Sequence, residues 1–135
     1  KEEQDFMDNQ VEELCSICHD EQVYKDIINS LKFLNKNGYI ICHDMNPPTE
    51  KHQAVPRPMN QRQWNGDCWK AWTQIRTERN DLTMHVVDMD WGCGVIKFGD
   101  QQRLLIDIDK LNYEFLENNR KSVLNLISTE DFLNL

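Results

Sequence analysis

"EQVYKDIINSLKFLNKNGYIICHD" (Glu21–Asp44) is the stretch on which the fold turns. Its first part repeats apolar residues at helical spacing: Val23, Ile27, Ile28, Leu31 and Leu34 share one face. The spacing predicts a helix over residues 21–35, with Gly38 as its C-terminal stop. "YIIC" follows, a short continuous apolar run of the kind that forms a buried parallel strand. Upstream, "VEELCSIC" (residues 11–18) fits either a short strand or a helix. Read as a strand, it completes a strand-helix-strand unit over residues 14–42, whose crossover is right-handed.

Working outward, residues 45–63 hold all four prolines (Pro47, Pro48, Pro56, Pro58) and few apolar side chains. They predict a long surface loop, a feature that is usually functional or mobile. "NGDCWKAWTQIRTE" reads as a helix with Trp69, Trp72 and Ile75 spaced by three, the two tryptophans as core. "TMHVVDMDWGCGVIKFG" reads as a β-hairpin, with Val86 and Val87 on one arm and Val95, Ile96 and Phe98 on the other. His85 is a strand residue in that reading. Residues 100–135 form a helical tail, helical from about Tyr113, with Ser128 and Asp131 placed as a capping box. Residues 1–135 thus form a single α/β domain with a small mixed sheet: parallel strands first, an antiparallel hairpin last.

Bulk properties exclude several classes. The 135 residues suffice for one domain with a core, and 39% of them are hydrophobic, so folding is expected. A net charge of −8 opposes binding to nucleic acid or to an anionic membrane surface. No apolar run approaches the ~20 residues of a membrane span, and "KEEQDFMDNQ" has no apolar signal core. Five cysteines (Cys15, Cys18, Cys42, Cys68, Cys93) are an odd number, three of them in apolar or strand-like runs. That predicts reduced thiols and a cytoplasmic location.

Several blocks together carry a family resemblance: "YKDIINSLKFLNKNGYIICHDMNPPTEKHQ", "WNGDCWKAW", "DWGCGVI" and "NRKSVLNLISTEDFLNL". In this order they resemble class I S-adenosylmethionine-dependent methyltransferases of a sugar O-methyltransferase-like group. The resemblance runs from about residue 21 to the C-terminus and covers only the second half of that fold; residues 1–20 match weakly. It implies a partial Rossmann-like fold and S-adenosylmethionine as cofactor, with a sugar as the candidate acceptor. The glycine-rich turn and the acidic residue that grip the cofactor in the family's first half have no counterpart here. Gly38, Gly66, Gly92, Gly94 and Gly99 include no phosphate turn between a strand and a helix. "CSICHD" stands where the family's fourth strand ends in a different acidic motif. The missing half then lies on another chain or upstream, since residue 1 is a lysine; alternatively the fold persists as a remnant without catalysis.

The tetrapeptide "ICHD" occurs twice, ending in His19-Asp20 and in His43-Asp44. His43 and Asp44 follow "YIIC", and in open α/β sheets ligands bind beyond the carboxyl ends of strands. Such a pair can hold a divalent metal or take a proton from a substrate hydroxyl. The resemblance points to Asp44 as metal ligand or base, with His43 as helper. The plainer alternative is a turn in which Asp44 caps the loop. If residues 14–20 form a neighbouring strand, His19 joins His43 and Asp44 as a third metal ligand. If they do not, the repeat is accidental. "CSICH" also spells the haem attachment pattern C-x-x-C-H, but with no export signal and no later distal-Met helix, haem is not expected. Cys42 and His52 are poorly spaced for a zinc knuckle. The resemblance assigns Trp64, Asn65 and Asp67 to the substrate side; the alternative makes Asn65 or Asp67 a helix cap. His52 is expected to be a solvated loop histidine. A half-sheet leaves an open edge, which predicts a homo-oligomer or a second chain that covers it.

Overall fold

A computed structural model describes residues 19–135. They form a mixed α/β unit. Helix α1 spans His19–Leu31. Strand β1 spans Ile40–Cys42, and a short helix α2 spans Glu50–Gln53. Helix α3 follows over Cys68–Glu78, then β2 (Leu82–Val87) and β3 (Cys93–Phe98). The chain closes with α4 (Tyr113–Leu124), β4 (Leu126–Ile127) and α5 (Thr129–Leu133). The strand order is β1-β3-β2-β4. β3 runs antiparallel to both β1 and β2, so those two point the same way, and β4 joins β2 in parallel.

One face of the sheet carries the core. Register places Ile40 opposite Ile96 and Ile96 opposite Met84, so these three share a face. Against it pack Trp69, Trp72 and Ile75 of α3, all fully buried, and Leu116 and Leu124 of α4. α1 contributes Ile27 and Leu31, four residues apart and both buried. Gly94 is required here because an added Cβ would stand 2.6 Å from Trp72 Cζ3. The predicted helix of tryptophans, the hairpin and the helix from Tyr113 all form.

Polar groups fasten α3 to the end of α4, and that end to the sheet. The Trp72 indole N–H donates to the Leu124 carbonyl at 3.2 Å. Arg76 is buried, and its guanidinium donates to the Ser122 and Val123 carbonyls at the end of α4. Those carbonyls have no partner within the helix, so a cation there answers both the acceptors and the helix dipole. Burial pushes the Arg76 pKa down. α4 ends on Asn125 in the left-handed conformation (φ 52°), which asparagine tolerates. The Asn125 side chain donates to the Met84 carbonyl at 2.8 Å.

The structure departs from the sequence reading in four places. His19 and Asp20 open α1 and do not end a strand; Asp20 and Glu21 sit in the first helical turn, where negative charge complements the dipole. Residues 11–18 lie outside the described residues. α1 ends at Leu31, not at Asn35, because the asparagine-rich stretch that follows favours turns. β1 is neither buried on both faces nor paired in parallel: Ile41 is 53% exposed, and among the described residues the strand pairs with β3 alone, antiparallel, while the parallel pair is β2 with the late strand β4. The tail is not purely helical. Residues 100–107 are irregular, a 3₁₀ turn spans Ile108–Lys110, and β4 interrupts the helices. The capping expectation holds for Ser128, whose hydroxyl accepts from the Asp131 N–H.

Candidate functional site at the carboxyl end of β1

β1 runs out at Cys42, and the chain turns sharply there. Asp44 has φ 66°, a left-handed conformation that aspartate adopts more readily than most residues. The turn lets Met45 N–H reach the Gly92 carbonyl at 3.0 Å and Asn46 N–H the Trp91 carbonyl at 2.9 Å. The β2–β3 turn is correspondingly tight: Asp90, Trp91 and Gly92 all have positive φ. At Gly92 a Cβ would lie 2.4 Å from the Asn46 backbone nitrogen, so the two loops touch through their main chains.

Around this junction several expected residues converge. Asp67 is buried at the start of α3, with Lys70 Nζ 3.7 Å from its carboxylate. The buried Cys68 thiol donates to the Asn65 carbonyl at 3.4 Å. Burial raises the Cys68 pKa most, and the negative charges of Asp44 and Asp67 raise it further. Both carboxylates are thus near one thiol. Cys42 is likewise pushed up to about 12, by burial first and then by Cys93. Thiols held protonated in this way are poor nucleophiles. His43 stands on the rim, its Nδ1 3.8 Å from Asp90 Oδ2, with both side chains about two-thirds exposed (67% and 65%).

The substrate-side expectations divide. Asn65 is 2% exposed, and its amide donates to the Trp91 carbonyl at 3.3 Å, so it braces the junction. Trp64 is half-buried; its indole N–H donates to the Ala54 carbonyl at 2.8 Å, and the Arg57 guanidinium lies 6.0 Å from its ring. Residues 45–63 are a fastened loop. Arg120 of α4 donates to Asn46 Oδ1 at 2.6 Å and to the Pro47 carbonyl at 2.7 Å, and the Tyr113 hydroxyl donates to the Pro48 carbonyl.

Three contributors were missed by the sequence reading. His52 is not a solvated loop histidine: its ring stacks on Trp91 with centroids 5.4 Å apart, and its Nδ1 is 2.6 Å from Thr49 Oγ1. Its carbonyl accepts from both Asn65 and Gly66 N–H. Asp90 and Arg120 are the other two. No sequence pattern announces them, because each reaches the junction from a different element.

The donor set can be weighed against a metal. Among the described residues no three His, Cys, Asp or Glu side chains gather as a metal site, and His19 belongs to the first turn of α1. The described residues therefore do not by themselves complete a metal site. Also among the described residues, no helix is long and apolar enough to cross a membrane. Compared with known protein families, curated proteins and solved structures, the chain finds no match.

Proposed function

We propose that this chain is the acceptor-side half of an S-adenosylmethionine-dependent O-methyltransferase fold, with a sugar as the candidate acceptor. One observation carries the reading. The Asp44 carboxylate lies just past the end of β1, on a backbone turn held by the β2–β3 loop, with the Asp67 carboxylate also near Cys68. The carboxyl end of a strand is where α/β sheets place ligands, and a carboxylate there can take the proton of an acceptor hydroxyl. A mixed α/β sheet is compatible with the resemblance, although its antiparallel hairpin is central and its parallel pair, β2 and β4, comes last. The exposed Trp91 and the half-buried Trp64 supply aromatic surface near the same junction. Asp44 acts as the base, His43 and Asp90 shape the rim, and Asn65 positions Trp91. The cofactor and any metal need groups from outside the described residues.

A second reading keeps the fold without the reaction, as a binding or assembly module. It is favoured by the five glycines, none of which forms a phosphate turn between a strand and a helix. In either reading the outer edge of β1, unpaired among the described residues, takes a partner, another copy or a second chain, because unpaired strand edges recruit strands.

Asp44→Asn is the informative variant, since asparagine accepts the left-handed turn but removes the negative charge. A panel of monosaccharides is followed by NMR, and S-adenosylmethionine by calorimetry. Sugar-induced shifts at Asp44 and Trp91, lost in the variant, support the methyltransferase reading. No response to any sugar overturns it. Micromolar uptake of S-adenosylmethionine by the chain alone overturns the inactive-module reading.

A further inference from the structure

The sheet face turned away from the core is not bare. α5 lies along it and makes a groove of about 600 Å³ over Ile41, Val87 and Val95, walled by Phe132 and Leu133. A second hollow of about 450 Å³ shares Tyr39, Val95, Phe132 and Leu133 with the first, so the two are one groove. The strand register sets its polarity. Val87 pairs with Cys93, Ile41 and His85 both pair with Val95, and Thr83 pairs with Lys97. Along β3 the floor therefore passes from Cys93 through Val95 to Lys97. At about 3.4 Å per residue that path is roughly 14 Å long.

Two features point to the kind of occupant. The Cys93 end is apolar and bordered by Met89, while the other end carries the Lys97 ammonium, the His85 imidazole and the Thr83 hydroxyl. Among the described residues no acidic side chain lines the groove, although the chain has 23 acidic residues against 15 basic ones. A concave apolar surface with a few polar groups gathered at one end is the usual form of a small-molecule site. We propose that this groove binds a single-chain amphiphile with an anionic head, of the fatty-acid class. Its tail lies over Ile41 and Val87, and its carboxylate meets Lys97 and Thr83. The ligand is the free monomer; a net charge of −8 opposes approach to an anionic bilayer. The assignment is independent of the methyl-transfer reading, whose residues lie at the end of β1.

The test is a titration of the full chain with dodecanoate below its micelle-forming concentration, read by calorimetry and by amide NMR. Dodecyltrimethylammonium, with the same tail and the opposite charge, is the control. One-to-one saturable binding is expected, with shifts at Val95, Lys97 and Phe132. Affinity for the cationic control should be about tenfold lower, and Lys97→Glu should erase the preference for dodecanoate. Ile41→Glu, at an exposed position, should abolish uptake while the circular dichroism spectrum is kept. Absence of saturable binding, equal affinity for both head groups, or indifference to Lys97→Glu overturns the proposal. So does sedimentation showing a dimer that Ile41→Glu converts to monomer, which assigns the face to a second copy.

Discussion

The two faces of this four-stranded sheet are made from alternate residues of the same strands, yet they differ in what they meet. On one face Met84, Val86 and Ile96 are closed over by Trp69, Trp72 and Ile75. On the other, Ile41 is 53% exposed although Val87 and Val95 are buried, and among the described residues the five-residue α5 lies along the groove. Apolar side chains stand on both faces, so composition alone does not make a core; the helices that reach one face do. The difference separates a face closed over by long helices from one that keeps a groove.

Substitutions can break or sharpen that contrast. The largest effect is expected from Trp72→Ala. It empties a fully buried site and removes the indole hydrogen bond to Leu124, and should cost about 3–5 kcal/mol in urea unfolding. On the open face, Ile41→Ala should cost under ~1 kcal/mol, and equal losses at the two positions would show that the second face is also a core. Gly94→Ala forces a methyl against Trp72 and should lower stability by about 1–3 kcal/mol. If it is neutral, the packing of Trp72 on β3 is looser than described.

Arg120→Ala leaves Asn46 Oδ1 and the Pro47 carbonyl without their donor, at a cost of about 1–3 kcal/mol. Amide exchange should quicken at Met45 and Asn46 and stay unchanged on α3; uniform quickening would refute a local clamp.

His85, on the open face, gives a smaller, pH-dependent effect. Its pKa is lowered from 6.5, by burial first and then by the charges of Arg76 and Lys97. The unfolded chain therefore binds the proton more readily than the folded one. Stability should be level above about pH 6.5 and decline as the pH falls from there towards the lowered folded value. His85→Gln should flatten that part of the curve. An unchanged slope would assign it to other groups. In the same order of magnitude lies thiol reactivity: Cys42 and Cys68 should resist alkylation at pH 8 in the native state and react on unfolding, as read by peptide mass mapping.

Where the sequence was legible, the signal was periodic. The helical spacing of apolar residues in α1 and α3 survives folding because it is met by packing against the core, and the hairpin forms where its two apolar arms flank a glycine-containing bend. The ends of α1 were less readable, since Asp20 and Asn35 act through first-turn charge and turn preferences weaker than packing. β4 was invisible: two residues, Leu126 and Ile127, become a strand only because β2 offers them a parallel neighbour. The site was half readable. Asp44 is marked by its place after an apolar run, whereas His52, Asp90 and Arg120 arrive from separate loops and from α4. Their meeting depends on main-chain bonds between those loops, which leave no pattern in the sequence.

The bonds that end α4 have a consequence for how the chain is made. Trp72 and Arg76 find their acceptors at Ser122, Val123 and Leu124, and β2 gains its outer neighbour only at Leu126–Ile127. A nascent polypeptide that stops short of Ser122 has synthesised Trp72 and Arg76 but not the carbonyls that receive their polar ends. Until that segment emerges from the ribosome, the indole and guanidinium of α3 stay hydrated and the core stays open. Ribosome-stalled chains in which residues 122–127 are still enclosed in the exit tunnel or have emerged should therefore differ sharply in protease resistance, with the longer one acquiring it in a single step.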